Sequence, residues 1–174
     1  LFLTIMLSLI FPPSSVLKII IIHYFSNIII GFLVRSHAPN ITSSNLDTTS
    51  KVNISSVLIK SINRSMSTLL MILGTIVFYM LLSYIITNLL STTPFIKLII
   101  SSVLEITNGL NFLAKTSYLL KIKEIIALAT ISFGGLSIHT QIKSILEDTN
   151  ISYKPFLKGR LLQVLIGTIL IIFI

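Results

Sequence analysis

The chain has 174 residues, of which 53% are hydrophobic and only 10% are charged, and its mean hydropathy is +0.99. A soluble domain usually carries about 25% charged residues, so this chain lacks the polar surface that would cover a water-soluble globule. The net charge of +8 comes from 13 Lys and Arg scattered between apolar segments, a pattern that fits membrane topology better than a phosphate-binding patch. We therefore expect an all-α, polytopic integral membrane protein in contact with the lipid bilayer, and no nucleic-acid partner.

The first apolar run, residues 1–11, is too short to cross a bilayer, which needs about 20 residues. Because the chain starts and stops inside apolar runs, we expect a fragment of a longer protein whose first transmembrane segment is truncated. Residues 16–34 form the next span. Lys18 lies near its end and can extend toward water, while His23 and Asn27 share one helical face. For that pair, interhelical hydrogen bonds are a simpler interpretation than contact with a ligand.

The middle of the chain is predicted to hold a loop, a surface helix and a membrane span. Residues 35–54 are rich in Ser, Thr and Asn, which is typical of a loop. Residues 55–66 have one apolar stripe, which indicates a short interfacial helix. Residues 68–90 carry no charge and are the clearest transmembrane helix. The chain thus divides into transmembrane segments (1–34), a polar loop with an amphipathic helix (35–66), and a transmembrane region with broken-helix motifs (67–174).

A first polar island lies in residues 95–114, a 20-residue span with Glu105 near its middle. Asn108 follows three residues later and is expected on the same helical face. A charged group at this depth costs about 2.5–3.5 kcal/mol or more, so Glu105 is a candidate for holding a proton, binding Na⁺ or accepting hydrogen bonds from a solute. The alternative is a structural ion pair with a basic residue on a neighbouring helix.

A second polar island lies in residues 125–142, within the stretch ISFGGLSIHTQIKSIL. Gly134 and Gly135 permit a break in the helix, and broken helices in transporters present freed backbone groups to solutes and ions. The side chains around the glycines add further donors and acceptors: Ser132, Ser137, His139 and Gln141. The alternative is a kinked helix that packs through small residues.

Charge bias predicts the path of these segments through the membrane. If the basic 35–64 loop is cytoplasmic, residues 68–90 exit and residues 95–114 return. If residues 125–142 enter and turn back at the glycine pair, 11 of the 13 Lys and Arg are cytoplasmic. We therefore expect a re-entrant hairpin at 125–142. The polar loop that follows it contains four basic residues: Lys143, Lys154, Lys158 and Arg160.

The sequence offers no support for catalysis. Its three histidines are dispersed and it has no cysteine, so no metal site and no thiol chemistry are indicated. It also has no Gly-rich phosphate loop and no nucleophile motif. We expect neither an enzyme nor a bound cofactor.

Several stretches resemble the C-terminal half of the YlbJ-type sporulation integral membrane proteins. They are IIIIHYFSNIIIGFLVR (19–35), LEITNGL (104–110), SFGGLSIHTQIKSI (132–145), TNISYKPF (149–156) and GRLLQVL (159–165). The resemblance runs from about residue 16 to about residue 170 and omits the loop at 35–54.

That family is similar to the nucleoside-recognition, or gate, group of membrane proteins. The resemblance implies a gate-like region at 67–174, a location in the bacterial inner membrane and a role in forming the spore cortex. The two polar islands favour a transporter-like protein that binds or moves a small polar solute, together with a coupling ion. The alternative is a non-transporting scaffold that positions cortex-building machinery, in which case other sporulation membrane proteins are its partners.

Overall fold

The structure, a computed structural model, describes residues 2–34, 53–89, 93–147 and 149–174. The described ranges are helical: α1 (Phe2–Ser8), α2 (Pro13–Val34), α3 (Ile54–Leu89), α4 (Pro94–Leu104), α5 (Ile106–Ala114), α6 (Leu120–Phe133), α7 (Gly135–Glu147) and α8 (Lys154–Phe173). Four helical segments, counting α6 with α7, are long and apolar enough to cross a membrane. The predicted all-α, polytopic membrane fold is confirmed. The loop predicted at 35–54 lies almost entirely outside the described residues.

Helices α2, α6 and α8 pack together and form the centre of the bundle. Gln163 on α8 donates a hydrogen bond to His23 Nδ1 on α2, at 3.2 Å. Gly167 on α8 faces Leu128 on α6, so the absence of a side chain lets these two helices approach closely. Fully buried aliphatic side chains complete the core: Leu7, Ile19, Leu98, Leu110, Leu113, Leu128 and Ile171.

Helix α3 is a single helix of 36 residues, about 54 Å long. The short interfacial helix expected at residues 55–66 is the first part of α3 rather than a separate element. No glycine or proline separates it from the membrane span, so nothing in the sequence interrupts the backbone hydrogen bonds. Most of α3 is exposed, and Ser83 is its one buried residue, so this helix lies at the periphery of the described bundle.

Helices α4 and α5 form a helical hairpin inside the membrane region. Thr93 caps the start of α4 by accepting from Ile96 N, and Pro94 occupies its first turn. The backbone of Glu105 is extended (φ −152°, ψ 130°), and α5 then packs back along α4. The two helices have 11 and 9 residues, about 16 and 13 Å, so each is about half a bilayer long. The prediction that residues 95–114 cross the membrane in one helix is therefore wrong.

The re-entrant hairpin predicted at residues 125–142 is also wrong, although the break at its glycines is present. Gly134 (φ 91°) ends α6 in the left-handed conformation and donates to Thr130 O, and Gly135 (φ 66°) begins α7. The two helices make little contact with each other, because α6 packs against α8 and α2 while α7 packs against α3 and α4. Residues 120–147 together are long and apolar enough to cross a membrane as one span that is broken at the glycines.

The α4–α5 hairpin and the broken α6–α7 span place one basic connector on the opposite side from the one predicted. The predicted arrangement has one crossing at 95–114 followed by a hairpin at 125–142, and the structure has a hairpin at α4–α5 followed by one span at α6–α7. Each arrangement contains a single crossing between α3 and α8, so α8 starts on the side where α3 starts in both. The connector before α6, with Lys115, and the first turn of α6, with Lys121, instead lie on the side where α3 ends. All four basic residues predicted in the following polar loop lie in α7 or α8: Lys143, Lys154, Lys158 and Arg160.

We expect single cysteines at Lys121 and Lys154 to be labelled from opposite sides of the membrane by an impermeant maleimide. Both side chains are exposed, and the native chain contains no cysteine that would give background. Cysteine at Lys143, near the end of α7, is the control and should be labelled from the same side as Lys154. Labelling of Lys121 and Lys154 from one side would restore the hairpin at 125–142 and contradict the broken span.

Candidate functional site

The two breaks in the membrane helices lie against each other. A methyl group at Gly135 would lie 3.3 Å from Glu105 Cα, Ile106 N and Leu104 O, so the backbones of the two breaks are in direct contact. Irregular backbone at membrane depth is tolerated where protein or a polar cavity surrounds it. The contact places the hairpin tip beside the glycine break, in the interior of the bundle.

Glu105 occupies the hairpin tip and is almost completely buried, with an exposed fraction of 3%. Its Oε2 accepts from Asn108 N at 2.9 Å, and its Oε1 accepts from Thr107 Oγ1 at 3.2 Å. Glu105 is therefore the N-cap of α5, where a negative charge interacts favourably with the positive end of the helix dipole. The structural ion pair considered for Glu105 is not formed within the described residues, where the ion pair present joins Lys18 to Glu124.

A cavity of about 690 Å³ opens beside this junction. Its volume lies in the range of about 300–1,000 Å³ that is typical of small-molecule sites. Polar side chains from α2, the α4–α5 tip, α5, α7 and α8 line it: His23, Glu105, Thr107, Ser137, Gln141 and Arg160. The apolar part of the wall is aliphatic: Ile76, Met80, Ile106, Ile131 and Ile138. The cavity thus combines a few polar groups with an apolar wall, as ligand sites do.

A hydrogen-bonded chain connects the cavity wall on α8 to α2. Arg160 donates to Gln163 Oε1 at 3.0 Å, and Gln163 in turn donates to His23 Nδ1. The Arg160 guanidinium also lies over the Phe156 ring, 5.2 Å from its centroid, in cation–π geometry. These contacts hold Arg160 and His23 in fixed positions at the cavity. The interhelical hydrogen bonding expected for His23 is present, and His23 also faces the cavity.

Three of the predicted site residues line this cavity: Glu105, Ser137 and Gln141. Gln141 also donates to Thr75 Oγ1 at 2.9 Å, which fixes its amide against α3. Gly134 and Gly135 supply the break beside Glu105 and no side chain.

The other predicted side chains make contacts elsewhere. Asn108 Nδ2 donates to Met80 O at 3.2 Å, and Asn108 lines a separate cavity of about 500 Å³ between α3, α4 and α5. The expectation that Glu105 and Asn108 share a helical face is wrong, because Glu105 is the extended residue before α5. Ser132 is buried within 3.5 Å of His23 Nδ1, and His139 bonds to Tyr153 and to Phe133 O. Neither residue lines the 690 Å³ cavity.

Sequence reasoning missed Thr107 and Arg160 and gave His23 only a structural role. The basic residues after residue 142 predict a polar loop that includes Arg160, although Pro155 is a signal for the first turn of a helix. With α8 starting at Lys154, Arg160 lies inside the helix and reaches Gln163 three residues later. Pro155 was therefore the signal in the sequence that could have placed Arg160 in the bundle.

The chain is 38% identical over 65 residues to the sporulation integral membrane protein YlbJ of Bacillus subtilis (strain 168). This match confirms the resemblance indicated by the sequence motifs over part of the chain. The aligned residues make up 37% of this chain and 16% of that protein. No protein-family model matches the chain. No solved structure matches it either.

Proposed function

We propose that this chain is the solute-binding part of a transporter-like membrane protein that acts during sporulation. In this proposal it resides in the bacterial inner membrane and serves spore cortex formation by binding or moving a small polar solute, without catalysing a reaction. The sporulation role rests on the similarity to YlbJ and on the family resemblance of the glycine-rich motif.

One observation carries the solute-binding part of the proposal. The tip of the α4–α5 hairpin meets the α6–α7 break at a cavity that holds the Glu105 carboxylate. Burying a carboxylate in a membrane region is costly, and so is interrupting two helices there. Transporters accept these costs where broken helices present polar groups to a solute near the middle of the membrane.

In this mechanism the α4–α5 hairpin tip and the α6–α7 break contribute different groups to the cavity. The hairpin tip holds Glu105, whose charge the N-terminus of α5 stabilises, so the carboxylate is available to a solute or a coupling proton. The α6–α7 break directs Ser137 and Gln141 to the same cavity. A rocking motion of the hairpin against the broken span would change access to the cavity from either side.

We expect Glu105→Gln to reduce stabilisation by the solute strongly while preserving the fold. The glutamine keeps the shape of the cap and an acceptor for Asn108 N but lacks the charge. The measurement is a thermal-shift panel on the purified full-length protein with nucleosides, nucleobases, amino acids and cell-wall precursors. At about 100 times Kd a bound solute stabilises the folded protein by about 2.7 kcal/mol, which raises Tm by several degrees.

The matched control is Glu147→Gln, which removes an exposed carboxylate near the end of α7. It should respond to solutes as the native protein does. If no solute raises the Tm of the native protein, while both variants fold normally, the transporter-like function is contradicted and the scaffold role becomes the better proposal.

A further inference from the structure

Two opposite charges line the 690 Å³ cavity without pairing with each other. Glu105 comes from the hairpin tip and Arg160 from α8, and both contribute to its wall. Among the described residues neither of them takes part in an ion pair. A charge buried in a low-dielectric region is strongly unfavourable unless an opposite charge compensates it.

Arg160 retains unused hydrogen-bonding capacity, and Glu105 has only neutral partners. The Glu105 carboxylate accepts from Asn108 N and Thr107 Oγ1, and the backbone N–H groups of Ile106 and Thr107 are also directed to it. Arg160 has five N–H donors. In the described part of the chain its one hydrogen-bond acceptor is Gln163 Oε1. A solute therefore finds a carboxylate without a cationic partner on one wall and free donors on the other.

Building on the proposed function, we propose that the solute is a zwitterion with an aliphatic body, of the amino-acid type. Its ammonium group binds Glu105 and its carboxylate binds Arg160, so both protein charges and both solute charges are compensated. An anion alone would leave Glu105 without a counter-charge, and a cation alone would leave Arg160 without one. An uncharged nucleoside or nucleobase would compensate neither. The aliphatic wall suits an apolar body between the two charged ends.

The spacing between the two charges of the solute is the property to vary. The probes are L-alanine, β-alanine, 4-aminobutyrate, 5-aminopentanoate and the dipeptide Ala-Ala, measured by isothermal titration calorimetry on the full-length protein in lipid nanodiscs. Propionate, propylamine and uridine serve as single-charge and neutral comparison solutes. We expect one zwitterion spacing to bind roughly tenfold to a hundredfold tighter than propionate or propylamine, because each charged hydrogen-bonding partner contributes separately.

Two variants identify which end of the solute each group holds. In Glu105→Gln the preferred zwitterion should lose its advantage over propionate, and in Arg160→Gln it should lose its advantage over propylamine. The comparison on the native protein needs no variant, so poor folding of either variant leaves the zwitterion proposal testable. Binding of uridine or of a singly charged probe as tight as that of every zwitterion would overturn the zwitterion while supporting the proposed function. No binding of any solute, with the native protein folded, would overturn both.

Discussion

Replacing Gly109 with alanine is expected to destabilise the protein by about 3 kcal/mol. A methyl group at this position would lie 2.5 Å from Ser102 Oγ and 2.6 Å from Ser102 Cα. The Oγ could rotate away, but the Cα belongs to the backbone of α4 and moves only if the two arms of the hairpin separate. Separation would open the packing of the buried Leu98 and Leu113 and displace Glu105 at the tip.

The chain supplies a matched control for this substitution. Gly74 lies inside α3 and has no atom within 4 Å of the position that a methyl group would take. Gly74→Ala should leave the stability unchanged or raise it by up to about 1 kcal/mol, because alanine favours helix more than glycine does. The measurement is the free energy of unfolding in mixed micelles. Equal stability of Gly109→Ala and the native protein would show that α4 and α5 do not pack as closely as the hairpin requires.

The pattern of apolar runs was sufficient to predict the fold class but not the position of the hairpin. Residues 95–114 have the length of one membrane crossing, and two half-length helices have the same total length. Charge bias favours the wrong arrangement, because it counts the basic connector at 115–123 as cytoplasmic, whereas the α4–α5 hairpin places that connector on the side where α3 ends. The close approach of Gly109 to Ser102 decides between them, and this is a tertiary contact between residues whose types are ordinary in membrane helices.

The candidate site was predictable where backbone conformation determines it. Adjacent glycines indicated the break at Gly134–Gly135, and a lone mid-span carboxylate indicated Glu105. Side-chain directions were less predictable, because they depend on which helices become neighbours. His139 lies two residues from both Ser137 and Gln141, yet it bonds to Tyr153 at the start of α8 instead of facing the cavity. Arg160 faces the cavity because α8 packs against α2 and α6.

Removing the cation at Lys18 is expected to destabilise the protein more than removing the anion with which it pairs. Lys18 Nζ lies 2.5 Å from Glu124 Oε2, and the side chains are 26% and 3% exposed, respectively. In Lys18→Met the carboxylate of Glu124 stays buried without its partner, which costs about 3 kcal/mol. In Glu124→Gln the lysine keeps its charge but can extend its ammonium toward the membrane surface, so the expected loss is about 1 kcal/mol.

The double variant, Lys18→Met with Glu124→Gln, should recover most of the stability that Lys18→Met loses. It leaves no uncompensated charge, and the methionine keeps the apolar contacts of the lysine stem. Unfolding free energies of the native protein, the two single variants and the double variant form a thermodynamic cycle that gives the coupling energy between the two residues. Additive losses would contradict a direct ion pair. The arrangement of α2 against the broken span requires α2 and α6 to be joined at this end of the bundle. Additive losses would mean that the two helices are not joined there.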